Sequence, residues 1–472
     1  MSNSVAKRSG EAEEMAAACA KGRALMGGTS AMRDAGKTYL PKFPAESEEA
    51  YLERLSLSWL FNGYRKTVRD MAGRVFAKPV ELGEGTLPQL LEWAENIDLA
   101  GRDLSTFARA VFEDGIDAGI SYIMVDAPPR TGAETQADAV TRNLRPYLIH
   151  LEVESILGWK SEPINNVQTI TQLRICEEVY EQDPKDEFAQ IEVEQVRVLD
   201  RLEGTVQTRI YRKVKANNGQ DEWQLYGEPT FSGLSEITVV PFYANRTGFF
   251  EGEPLLDDLA DVNIAHWQSQ SDQRNILHFA RVPILFAAGR SDQEGPIIVS
   301  VGRSVQSENP DAKLMWVEHT GKAIDAGRQD LKDLEFQMEA HGLQLLVAQS
   351  QSATGATLDA AKETSILAMT ADQLKDALEQ ALIWMGQYGG LGDVTPEVKV
   401  NKEFGAGMMT AQELQLLLNA VGTGDLSRET FLGELARRGM IAPDTDIQGE
   451  IDRIMAEGGG EAATGIPGAT GV

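Results

Sequence analysis

The chain has 472 residues, 42% hydrophobic and 25% charged, enough to build a sizeable core and, by length, roughly two to four domains. Its 72 acidic residues outnumber 44 basic ones, for a net charge of −28, which argues against a protein that grips nucleic acid, because phosphate binding needs Lys and Arg. The two cysteines, Cys19 and Cys176, lie far apart at no ligand spacing, so neither a disulfide nor a zinc site is expected and a reducing compartment fits.

The N-terminus, "MSNSVAKRSGEAEEMAAACAKG", carries Glu11, Glu13 and Glu14 where a signal peptide needs its apolar stretch. No run of about 18 apolar residues follows, so the expectation is a soluble protein made in a cytoplasm, with no membrane partner. Residues 47–76 predict one helix with Ser47 as N-cap and an apolar stripe through Leu52, Leu55, Trp59, Tyr64, Val68 and Met71. A second helical block, "LPQLLEWAENIDLAGRDLSTFARAVFEDGIDAG", leads into a strand, "ISYIMVDAPP". Residues 131–143 read as a polar loop. From 145 to 245 the period changes to two, with turn signals such as Asn218-Gly219, which predicts an antiparallel sheet with one wet face. The fold class is α+β.

Residues 254–280 return to helix, with Pro254 in the first turn and a span of about 40 Å. Their middle, Gln268 to Asn275, is wholly polar and looks unable to enter a single core. Residues 281–324 read as three short strands. A further helix carries Leu331, Leu334, Met338 and Leu345 on one stripe. Then comes "AQSQSATGATLDAAKETS", small and nearly uncharged, followed by a long helix with Leu367, Ala371, Leu374, Leu378, Ala381 and Met385 at helical spacing. "TPEVKVNKEF" reads as a strand, residues 411–456 as a helical cluster, and 457–472 as a disordered low-complexity tail.

Motifs for chemistry are thin. "AMRDAGKT", residues 31–38, resembles a P-loop with Ala31 in place of the first Gly, but a P-loop needs a buried strand before it and a helix after it. The text before it reads helical and the text after it, "YLPKFPAE", is broken by prolines. His150, His266, His278, His319 and His341 form no HExxH pair, and no G-x-S-x-G elbow exists. No catalytic residue, metal ligand or cofactor is expected, and the protein reads as a non-enzyme.

The order of elements, with the stretches "GKTYLPKFPAESEEAYLERLSLSWLFNGYRKTVRDMAGRVFAKPVEL", "HWQSQSDQRNILHFARVPILFAAG" and "QSQSATGATLDAAKETSIL", resembles the portal proteins of tailed bacteriophages. In particular it is similar to a portal-like family long catalogued as a domain of unknown function. The resemblance runs over most of residues 28–390. It implies a ring of about twelve subunits at one capsid vertex of a virion, conducting double-stranded DNA without reading its sequence. The implied parts are a wing (1–252 with 363–410), stem helices (253–280 and 325–347), a clip (281–324), a tunnel loop (348–362) and a crown (411–456). The implied partners are the terminase large subunit, head-completion or tail-adaptor proteins, and major capsid or scaffolding protein.

Within that frame Gln349, Ser350, Gln351, Ser352, Thr354 and Lys362 would face DNA, offering short polar groups with little fixed positive charge to trap a duplex. Asp257, Asp258, Asp261, Asp272 and Arg274 would belong to the stem and channel. Arg290, Asp292, Glu294, Arg303 and Glu308 would be clip contacts. Another virion connector, or an enzyme using Lys37 and Thr38 on nucleotide, are the alternative readings.

Overall fold

The computed structural model describes residues 4–128, 142–215, 221–281, 284–289, 297, 309–317, 322–343, 353–402, 411–437, 440–441 and 445–456. It is mixed helix and sheet and divides into two compact units, Met1–Val400 and Asn401–Val472.

In the first unit, helix α1 (Gly10–Ala35) starts at Ser9, whose Oγ accepts the Ala12 amide. The single helix expected over 47–76 is two, α2 (Glu48–Leu57) and α3 (Gly63–Val75). The break is built in chemically. Ser58 turns extended and its Oγ donates to the Arg54 carbonyl, while Asn62 restarts the helix by accepting the Arg65 amide. After strand β1 (Glu81–Leu82), the second expected helical block is likewise two helices, α4 (Pro88–Ala94) and α5 (Leu104–Ala118). Gly119 closes α5 at φ 81°, and a Cβ there would lie 1.8 Å from the Glu253 carbonyl oxygen, so only glycine fits.

The period-two region forms two sheets rather than one. Strand β2 (Ile120–Asp126) is the centre of a three-stranded antiparallel sheet, between β3 (Tyr147–Leu151) and β9 (Val239–Tyr243). The other sheet is a five-stranded meander of β4 (Ile156–Ile164), β5 (Val167–Gln182), β6 (Gln190–Leu202), β7 (Thr205–Lys215) and β8 (Asp221–Phe231). The stretch "RPYLIHLEVESILGW" thus holds two strands, separated by a 3-10 turn at Val153–Ser155 where the chain changes sheet. β2 is buried on both faces. Ile120, Tyr122 and Met124 pack with Met15 and Cys19 of α1 and with Leu173 and Ile175 of β5. Ser121 points to the α5 side, where Phe112 stacks on Phe242 of β9.

Two short strands, β10 (Arg246–Gly248) and β11 (Glu251–Gly252), lead to helix α6 (Asp257–Ala280). Then come β12 (Ile284–Ala288), β13 (Lys313–Val317), helix α7 (Lys322–Met338) with a π-helical turn at Glu339–Leu343, and helix α8 (Ala353–Gly389). α8 packs on β2 and β9. Its expected stripe is the buried one: Leu367, Ala371, Leu374, Leu378, Ala381 and Met385 are all fully buried. Each large one contributes about 2 kcal/mol. Strand β14 (Val398–Lys399) pairs with β1 and is shorter than "TPEVKVNKEF" suggests.

The second unit holds α9 (Ala411–Thr423), α10 (Arg428–Arg437) and α11 (Ile447–Ala456), each packed on the next. The loop 131–141 and the tail 457–472 lie outside the described residues.

Candidate functional site: an antiparallel helix pair carrying a β-hairpin

α6 and α7 run antiparallel. His266 Nε2 lies 3.5 Å from Glu335, Ser269 Oγ donates to Asp330 at 2.5 Å, and Gln273 Nε2 donates to the Ile324 carbonyl at 2.8 Å. Partner numbers fall on α7 as they rise on α6. At the far end the register continues into the hairpin, from Ile284 opposite Val317 to Ala288 opposite Lys313. The chain therefore travels out along α6, turns through a β module and returns along α7. Ile324, Gly327, Leu331, Leu334 and Met338 form the inward stripe of α7, while Asp325, Asp333 and Phe336 stay exposed. Gly327 lets the helices close: a Cβ there would lie 2.1 Å from Gln273 Oε1.

Contrary to expectation, the polar middle of α6 packs within this one chain: Gln270, Ser271 and Gln273 are buried, and only Arg274 is exposed. Ser271 Oγ meets Ser58 Oγ at 2.8 Å and accepts from Arg54 at 3.3 Å. Gln270 donates to the Trp59 carbonyl at 3.0 Å and accepts from Trp59 Nε1 at 2.9 Å. Gln268 donates to the Tyr39 carbonyl. The extended break between α2 and α3 thus supplies two of these partners, Ser58 and Trp59, and leaving the helix there brings them against α6. His266 is 2% exposed, and burial lowers its pKa against the pull of Glu335, so it is neutral at pH 7.

The stem residues singled out from the sequence divide by environment. Asp257 and Asp261 both pair with Lys21 of α1, at 2.8 and 2.7 Å. Asp272 is 3.8 Å from Arg54, and Arg274 lies over the Trp59 ring. Asp258 is exposed. Three of the four acids of α6 thus meet a cation of the body while their side chains stay 47–63% exposed. Gln349, Ser350, Gln351 and Ser352 lie outside the described residues, as do Arg290, Asp292, Glu294, Arg303 and Glu308. Thr354 and Lys362 are in α8: the helix begins at Ala353, so most of the segment expected as a loop is helical. Its alanines and Leu358 favour helix more than its smooth polarity suggests. Of the three strands expected over 281–324, β12 and β13 are described.

Sequence reasoning missed a charge cluster at the junction of α1, α3, α5 and the sheets. Arg23 contacts Asp114 and Asp117 at 2.7 Å and Glu154 at 2.6 Å. Tyr64 donates to Asp117 at 2.8 Å. Burial pushes Asp117 up to about 6, while Arg23 and the Tyr64 hydroxyl oppose it. At Asp114 burial also pushes upward, but the His150 hydrogen bond and the Arg23 charge prevail and hold it below the usual carboxylate range. Ser121, His150 and Asp114 have the composition of a catalytic triad without its geometry. Ser121 Oγ at 2.8 Å and Asp114 Oδ2 at 3.0 Å both meet His150 Nε2, whereas a relay needs opposite ring nitrogens. Ser121 is also fully buried. The P-loop-like segment is the last turn of α1, residues 31–35, followed by a 3-10 turn at Gly36–Thr38, with Lys37 paired to Glu48 at 2.7 Å. Among the described residues no group of three His, Cys, Asp or Glu could hold a metal, and no helix is long and apolar enough to cross a membrane.

A family model described as a domain of unknown function, DUF4055, matches residues 254–389, from the approach to α6 to the end of α8. No curated protein matches the sequence. In fold the chain is similar to a chain from the neck of an empty GTA particle computed with C6 symmetry. The TM-score is 0.40 at 10% identity, covering 78% of this chain and 88% of that one. A chain from the neck of a native GTA particle computed with C12 symmetry gives 0.39 at 12%, covering 80% and 89%.

Proposed function

We propose that the chain is one subunit of a ring-shaped conduit for double-stranded DNA, the portal of a tailed phage or prophage, acting without catalysis of its own. The observation that carries the reading is the out-and-back α6–α7 pair with a β module at its tip, rooted in an α+β body and followed by the long helix α8. A ring built from such subunits has a stem of paired helices and a terminal β collar. The collar would dock the packaging terminase and later the head-completion proteins. Exposed acids on both helices, Asp258 and Asp261 of α6 and Asp325 and Asp333 of α7, can face the channel or a neighbouring subunit. Cyclic closure needs two different faces of each subunit to meet.

Native mass spectrometry and negative-stain imaging of the purified protein test this. The expected particle has a central hole and about twelve copies of the 51.6 kDa chain, roughly 620 kDa. A monomer or dimer at all concentrations would sink the proposal.

A further inference from the structure

On the outer face of the five-stranded sheet, residues 4–9 cross as a strap. Val5 and Ala6 pack on Leu157, Val196 and Val198. Arg174 pins the strap by donating to the carbonyls of Ser4, Val5 and Lys7. Beside the strap lies a cleft of about 560 Å³, lined by Lys7, Arg8, Lys160, Arg209, Trp159 and Tyr211 among others, and among the described residues no acid lines it. Arg209 is paired with Asp200 and Arg8 donates to the Glu154 carbonyl. The amines of Lys7 and Lys160 have no acidic partner among the described residues. A cationic, aromatic-walled cleft on a chain of net charge −28 is a site for an acidic segment with an apolar side chain.

This chain presents such a segment elsewhere. The β5–β6 hairpin carries eight acidic residues and one lysine between 177 and 194. At its tip Asp186 and Glu187 are exposed and Phe188 is 91% exposed, with Tyr180 at 63% nearby. The tip cannot reach its own cleft, because β5 runs on from Arg174 to Gln182, about 26 Å along the strand. We propose that the β5–β6 hairpin tip of one subunit inserts into the cleft beside the strap of the next, with Phe188 against Trp159 and Tyr211 and with Asp186 and Glu187 against Lys7 and Lys160. This rests on the ring reading and supplies it with a head-to-tail contact. Tip and cleft are different surfaces, which a closed cyclic ring requires.

The test is disulfide trapping in the full chain. The variant S4C/F188C, mildly oxidised, is expected to give a non-reducing ladder of covalent multimers ending at the ring number. S4C or F188C alone gives no ladder. Adding K7E/K160E cuts the cross-linked fraction at least fivefold, and adding D186K/E187K on top of that restores it. Native mass spectrometry of the wild type separates the two ideas. A ring whose S4C/F188C variant gives no ladder, or a ladder indifferent to charge reversal, overturns the hairpin contact and leaves the conduit standing. A ladder from a protein that never closes a ring keeps the contact and removes the conduit. A wild type that is monomeric with no ladder removes both, whereas a cleft that binds short duplex DNA while the tip stays uncoupled overturns the hairpin contact alone.

Discussion

Arg23 serves three carboxylates at once, and two of them are almost dry: Asp114 is 5% and Asp117 1% exposed. Removing the guanidinium leaves buried charge without a partner, so Arg23→Met should cost about 3–5 kcal/mol in urea unfolding. Asp117 adds a pH signature. Its folded pKa of about 6 stands above the ordinary 3.8, so its stabilising contribution is complete below about pH 4 and is lost as pH rises through 6. Comparing wild type with Asp117→Asn across pH 4–7 should show the wild type losing up to about 3 kcal/mol relative to the variant. A flat difference would mean Asp117 is ionised throughout. Asp114, held low, works in the opposite sense and loses its contribution only as pH falls through the acid range. None of this was legible beforehand. The members come from positions 23, 64, 114, 117, 121, 150 and 154, and only the packing of α1 across α5 and the sheet junction assembles them.

At the scale of elements, what could be read was what repeats. The α7 and α8 stripes recur at helical spacing, and the alternation of β4–β8 recurs at two, so helix and sheet followed from period alone. Interruptions depend on distant partners and did not. Ser58 to Phe61 leave the helix to meet Asn263, Gln270 and Ser271, some two hundred residues later, and without those contacts "LSLSWLFN" reads as helix. The same contacts bury a stretch of α6 that sequence alone consigned to water. The α6–α7 seam gives a sharp test. Gly327→Ala should displace the Gln273 amide from the Ile324 carbonyl and cost about 1 kcal/mol. Gly327→Leu should cost about 1–3 kcal/mol by forcing the helices apart. Thermal unfolding of both against wild type measures this, and an unchanged midpoint for Gly327→Leu would contradict the close approach.

The whole chain divides at Val400, and the first unit carries the core cluster built on β2. A fragment of residues 1–400 should therefore unfold cooperatively with a midpoint within a few degrees of the full-length body transition, measured by calorimetry. A broad, non-cooperative trace would show that residues 401–472 are needed. The mixture of helix and sheet was readable from the sequence, whereas the partition of strands between two sheets was not, because alternation does not say which neighbour a strand pairs with. That partition also sets a timetable for synthesis. The meander 156–231 pairs only successive strands, so it can close hairpin by hairpin as it leaves the ribosome. β2 must wait for β9, more than a hundred residues later, and its covering helix α8 arrives only at Leu367–Met385. Until then the β2 sheet has only the part of its apolar cover that α1 and α5 supply. A chain cut short before α8 never gains that cover, so truncated translation products should be proteolysed more readily than the full chain.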